Sequence, residues 1–189
     1  MSARILVACL VGTEALAAGC TPAVAVCEDK ASLVDVRAWR FVEPADDALW
    51  PALNDAALCN AGDVQVKPVG DALALEINTR FGCGWATATQ TTPRALRVGD
   101  RVQTQIFYFP QSSFPTAVAE IAIAIDDEIV VQETLEIPAP SGLLQPVIVV
   151  DQDVDVGADV SFHIGNHGDN SWNLVEFAVV RSVPCDDDG

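Results

Sequence analysis

The chain is poor in positive charge. Lysine and arginine together number 10 against 27 aspartates and glutamates, which gives a formal charge of −17 at pH 7, and no basic run interrupts the acidic background. Nucleic acid is therefore not an expected partner, because binding it needs cationic side chains that displace counterions from phosphates. Histidine is scarce as well, with only His163 and His167. No Cys-x-x-Cys pair or Cys/His cluster at zinc spacing occurs, which argues against a structural zinc. Gly-x-Ser-x-Gly, His-Glu-x-x-His and the phosphate-binding loop are all missing. The acidic pair Asp126 and Asp127 reads as a turn, whereas a glycosidase needs two carboxylates facing each other across a cleft. These absences predict a non-catalytic protein that needs no cofactor.

What is present begins with a leader. Arg4 supplies a positive start, residues 5–11 an apolar run far too short to span a bilayer, and Leu16-Ala17-Ala18-Gly19 small residues before Cys20. The pattern resembles a bacterial lipoprotein signal, in which residues 1–19 are removed and the Cys20 thiol is acylated. It departs from that signal in placing leucine one position further from the cysteine and in carrying Glu14 beside the apolar run. The alternative is an ordinary secretory leader cut after an Ala-x-Ala-like site. Both readings export the chain. The resemblance further implies anchoring to the lipid bilayer through acyl chains, and Thr21, in place of a retaining aspartate, implies the outer membrane.

About 170 residues follow the leader, enough for one domain with a substantial core. Residues 20–31 read as a tether, 32–185 as the domain and 186–189 as an acidic tail. Alternating apolar and polar side chains predict strands at 33–42, 85–90, 101–109, 117–125, 129–137 and 147–150. Residues 43–60, with Trp50, Pro44 and Pro51, read as a short helix or ordered loop. In 117–125, Ile121, Ile123 and Ile125 face alanines, as in a central strand covered on both sides. Residues 64–69 and 72–79 flank Gly70-Asp71 and predict a hairpin. A closing pair of strands surrounds the turn at 165–172. Roughly nine or ten short antiparallel strands, with no helical periodicity beyond two turns, point to an all-β sandwich or jelly roll.

Strand geometry selects the disulfides. Four cysteines remain after Cys9 and Cys20 are set aside, and four allow three connectivities. Partners across a hairpin share a nearly constant index sum, so Cys59 and Cys83 should lie opposite each other just beyond the strands flanking Gly70-Asp71. If residues 33–42 run antiparallel to the last strand, Cys27 meets Cys185.

The turn region is the first place to look for a site. His163, Asn166, His167, Asp169, Asn170 and Trp172 concentrate polar and aromatic groups there as candidates for ligand binding, with His163, His167 and Asp169 as metal ligands or a polar binding cluster. Two histidines four apart on a strand do not share a face, and Asx residues commonly hold turns by bonding local backbone. Asp151, Asp153 and Asp155 present carboxylates at every second position and are candidates for Ca2+, although Val156 and the missing twelfth glutamate depart from an EF-hand-like loop. A solvated edge whose charges block strand pairing explains the same run. Trp39, with Asp35 and Arg37 on its face, is the best tryptophan for stacking on a sugar ring. The segment from Gly157 through Asn166-His167-Gly168-Asp169-Asn170-Ser171-Trp172 looks like the closing hairpin of galactose-binding-like jelly rolls, the fold of many carbohydrate-binding modules. It looks still more like uncharacterised lipoproteins of Gram-negative bacteria such as myxobacteria. The resemblance implies an envelope or surface lipoprotein that binds a glycan or another extracellular ligand; a purely structural lipoprotein and a metal-dependent enzyme are the alternatives.

Overall fold

The computed structural model describes residues 26–49, 59–79, 83–165 and 168–185, which build a sandwich of two antiparallel sheets. The larger holds seven strands: β1 (Val26–Ser32), β3 (Val64–Val69), β4 (Ala72–Thr79), β6 (Arg101–Tyr108), β9 (Gly142–Leu144), β10 (Val147–Val149) and β12 (Asn170–Pro184). Their order is β10-β6-β12-β4-β3, with β9 also on β6 and β1 also on β12. The smaller holds β2 (Arg40–Phe41), β5 (Trp85–Thr91), β7 (Ala117–Ile125), β8 (Glu128–Ile137) and β11 (Asp159–Gly165), in the order β2-β5-β11-β7-β8. Among the described residues twelve strands stand where nine or ten were expected, because β2 and β9 are too short to show an alternation in the sequence.

Alternation explains most of the rest. In β6, Val102, Thr104, Ile106 and Tyr108 turn inward and the residues between them outward. Residues 121–125 of β7 are all buried, as the isoleucine-against-alanine pattern requires. Between the sheets, Phe162, Ile164, Trp172, Phe177, Ile121 and Ile123 form the centre of one continuous core. Gly70 takes a left-handed φ of +59° in the β3–β4 turn, which a side chain would strain.

The first strand corrects the sequence reading. Pairing begins at Val26, inside the stretch read as a tether, and runs only to Ser32. Leu33 then drops into the core, its N–H bonded to the Phe177 carbonyl at 2.9 Å, and the chain crosses to the other sheet, where Arg40 and Phe41 pair with β5. The reason is exposure: every β1 residue except Ala31 lies open to solvent, so β1 has no buried face to write a period of two. The apolar residues at 34–38 instead line the crossing.

Both disulfides pair as expected, Cys27 with Cys185 and Cys59 with Cys83. They sit at opposite ends of the sandwich. One end carries the start of β1, the end of β12, the Asp126-Asp127 turn and residues 150–158; Arg181 of β12 binds Asp100 there, Nε to Oδ1 at 2.9 Å. The other end carries the start of β12 and the loops at 109–116 and 138–141. Trp50 and the rest of 50–58 lie outside the described residues; of the segment expected to be helix or loop, Pro44–Asp46 forms a 3-10 turn.

Candidate functional site

The turn at 165–172 is divided between core, loop contact and surface. Asn166 and His167 lie outside the described residues. Trp172 is fully buried, packed against Tyr108 with ring centroids 5.4 Å apart, so it offers no face to a ligand. Asn170 is buried too, and it holds a loop rather than its own turn: Oδ1 accepts from the Ser112 N–H at 2.6 Å and Nδ2 donates to the Ser112 carbonyl at 3.1 Å. Gly168 permits this contact. Its φ is +128°, and a Cβ there would lie 1.9 Å from the Ser112 oxygen. Asp169 is exposed, and its carbonyl accepts from the Ser112 hydroxyl at 3.3 Å.

His163 points away from Phe162 and Ile164, as the alternation requires, yet it is only 3% exposed. Trp85 covers it at a centroid distance of 3.9 Å, and Gly165 makes room, since a Cβ there would meet the Trp85 ring at 2.9 Å. Asp47 Oδ2 accepts from the Thr87 hydroxyl at 2.6 Å, and that hydroxyl oxygen lies 2.7 Å from His163 Nδ1. With its proton committed to Asp47, Thr87 accepts from Nδ1–H, which leaves Nε2 as the lone-pair nitrogen. No described group reaches Nε2. Burial holds the imidazole pKa down at about 3, so the ring is neutral at ordinary pH.

The three carboxylates proposed for Ca2+ do not share a site. Asp153 Oδ1 accepts from the Val98 N–H at 3.0 Å and its other oxygen lies 3.4 Å from Arg97, which also approaches Asp155 at 3.9 Å. The segment is a loop with an isolated bridge from Val154 to Leu96, so alternate residues do not line one strand face. Among the described residues, one set of three metal-capable side chains has its donor atoms within 4.8 Å, namely Cys59, Asp63 and Cys83. It does not suit a cation: the two sulfurs are bonded to each other, and Asp63 caps a 3-10 turn by accepting from the Asn60 N–H.

Trp39 lies half-buried against the core rather than on a strand with Asp35 and Arg37, which form a turn in which Asp35 Oδ1 accepts from the Arg37 N–H. It lines a cavity of about 250 Å³ in the gap between β1 and β4 along the edge of β12, where Lys30 meets Glu176 at 2.6 Å.

A surface that the tryptophans did not mark lies on the outer face of the seven-stranded sheet. Across it run Gln65 of β3, Glu76 of β4, Asn173 of β12, Phe107 of β6 and Leu143 of β9, each opposite the next. Glu76, only 6% exposed, accepts from the Ser171 hydroxyl at 2.6 Å and pairs with Lys67. Asn173 Nδ2 donates to Ser171 Oγ and to the Phe107 carbonyl, both at 3.3 Å. Phe107 and Phe109 meet edge to face at 5.0 Å, and Phe109 is 49% exposed. An apolar shelf thus adjoins a fixed strip in which Lys67 and Ser171 are half-buried, while Glu76 and the 1% exposed Asn173 hold them from beneath. Its one sequence signal was that Phe107 and Phe109 alternate with inward-facing Tyr108.

No protein-family model and no curated protein matches the chain. Solved structures that resemble it include TmCBM27, a carbohydrate-binding module described for specific mannan recognition, at 10% identity over 82% of this chain and 98% of that one, with a TM-score of 0.49. A module of type CBM28, specific for non-crystalline cellulose, resembles it at 10% identity over 79% and 88%, with a TM-score of 0.44. The K3 cleaved adhesin domain of Lys-gingipain from Porphyromonas gingivalis resembles it at 9% identity over 82% and 98%, with a TM-score of 0.42. What those proteins bind belongs to them.

Proposed function

We propose that the chain is an exported, lipid-anchored, non-catalytic envelope protein that binds a glycan on the outer face of its seven-stranded sheet, beside the start of β12. The observation that carries this reading is the Phe107–Phe109 shelf next to Lys67 and Ser171, which buried Glu76 and Asn173 hold in place. A pyranose presents an apolar C–H face and a rim of hydroxyls, and the two halves of this surface meet those two demands. The two carboxylates nearest the strip, Glu76 and Glu176, are paired with Lys67 and Lys30. With a net charge of −17 the protein repels acidic polysaccharides, which makes a neutral glycan the fitting ligand. Export is supported by two disulfides, which persist in oxidising compartments. Among the described residues no helix is long and apolar enough to cross a membrane, and in this reading acylated Cys20 supplies the attachment.

Affinity electrophoresis against a panel of neutral and acidic polysaccharides tests the binding. At least one neutral polymer should retard the protein, and Phe107→Ala/Phe109→Ala should weaken that binding at least about tenfold, the equivalent of about 1.4 kcal/mol. Unhindered migration on every neutral polymer, or full affinity in the double variant, would remove the reading. The anchor is tested separately by detergent phase partition: wild type should enter the detergent phase and Cys20→Ser the aqueous phase. A variant that stays with detergent would show that Cys20 is not the attachment.

A further inference from the structure

A second surface lies at the end of the sandwich that carries the Cys27–Cys185 bridge. The β7–β8 turn and the chain leaving β10 enclose a groove of about 650 Å³. Its floor is apolar, with Leu96, Ile125, Ile148 and Val154, and Ile129 and Val149 stand 45% and 65% exposed along its sides. The rim is acidic, carrying Asp126, Glu128, Asp151 and Asp153, and no lysine or arginine lines it. Asp153 is met by Arg97 from outside the groove. Glu128 is met only by the neutral amide of Gln152, and the Asp151 carboxylate has no described hydrogen bond or ion pair. The walls are set in advance: Asp126 and Asp127 take left-handed φ values of 47° and 66°, and Asp126 Oδ1 accepts from the Asp159 N–H at 2.9 Å. β8 is the last strand of its sheet, so one of its edges is unpaired among the described residues.

We propose that this groove docks an extended basic peptide segment of a partner protein, with apolar side chains on the floor and lysines or arginines at Glu128 and Asp151. Charge complementarity selects that occupant. An apolar groove ringed by carboxylates disfavours an acidic or phosphorylated segment, and the absence of any aromatic lining residue makes it unlike a sugar platform. The free edge of β8 offers main-chain pairing to an extended chain.

The test is fluorescence anisotropy with a labelled peptide of alternating lysine and valine, against a lysine–glycine peptide and a glutamate–valine peptide of the same length. The lysine–valine peptide should bind saturably at one site, the lysine–glycine peptide at least about tenfold more weakly and the glutamate–valine peptide not at all. Glu128→Lys/Asp151→Lys should weaken the lysine–valine complex at least about tenfold, while the control Glu43→Lys/Asp169→Lys, with the same charge change on exposed residues at the opposite end of the sandwich, should change it less than about twofold. Equal binding of lysine–valine and lysine–glycine, or equal loss in the two variants, would reduce the effect to the overall charge and overturn the proposal. So would an absence of saturable binding. A concentration-dependent dimer in sedimentation that Ile129→Lys breaks and the peptide does not displace would assign the groove to a second copy of this chain, with the same consequence.

Discussion

Cys27→Ser/Cys185→Ser is expected to lower the stability by about 5 kcal/mol, more than any other covalent change in the described chain. The bridge closes a span of 158 residues, and loop-closure entropy released to the unfolded chain grows with the logarithm of that span. The Cys59–Cys83 bridge spans 24 residues and corresponds to about 3 kcal/mol on the same scale. For a chain of this size the larger loss corresponds to a fall in Tm of roughly 10–20 °C. The native side of the balance points the same way, because β1 buries almost nothing. Without the bridge it is held by its ladder to β12 and by Lys30 against Glu176, a pair too exposed to contribute much. Amide exchange at Asp29 and Ala31, whose N–H groups share the ladder parity of Leu33 and point at β12, should therefore rise first, followed by the global transition. A double variant that melts no lower than Cys59→Ser/Cys83→Ser would sink this account.

Acidification should destabilise the protein before its carboxylates titrate, and His163 should be the cause. Its folded pKa, about 3, lies below the ordinary value of 6.5. Between those limits the unfolded chain binds a proton that the folded chain refuses. Stability is therefore full above pH 6.5 and falls as pH drops, by up to about 1.4 kcal/mol per pH unit and about 5 kcal/mol across the window. The groups facing the ring are Thr87, Trp85 and, through Thr87, Asp47; Glu120 of β7 lies across from Gly165 in the neighbouring ladder. Asp100 is also linked to folding. Its hydrogen bond to Arg181 lowers its pKa, so its contribution persists above the ordinary carboxylate value and is lost only as pH falls through the acid range below it. Fading repulsion among the many other carboxylates acts in the opposite direction, and it is common to wild type and variant. Urea titrations at pH 7.0 and 5.0 should thus show wild type losing roughly 2 kcal/mol more than His163→Asn, which keeps a donor toward Thr87. Equal losses would mean that His163 is not the titrating group.

The hairpin of β3 and β4 was legible to the residue. Gly70-Asp71 marks the turn, the flanks alternate, and the observed partners keep the index sum of 141 from Val64 with Ile77 to Val69 with Ala72. Cys59 and Cys83 follow from that local geometry. Cys27 and Cys185 were paired through the right neighbour but the wrong segment, since a strand exposed on both faces carries no alternation. Asp151, Asp153 and Asp155 show the converse error: a period of two in the sequence, but no strand beneath it. Trp172 alternates correctly, yet alternation does not say which side of the last strand meets the other sheet.

The sequence by itself determined where most strands begin and turn, the pairing of Cys59 with Cys83, and the excess of negative charge. Each of these follows from short-range periodicity, turn chemistry or a simple count. Only the tertiary structure decided what stands beside what. Ser171 and Glu76 are 95 residues apart and meet because β4 lies against β12, just as the acidic groove exists because the ends of β7 and β10, from different sheets, come together. A period of two records the face on which a side chain lies. Its neighbours on that face are set by sheet order, which depends on burial summed over the whole core.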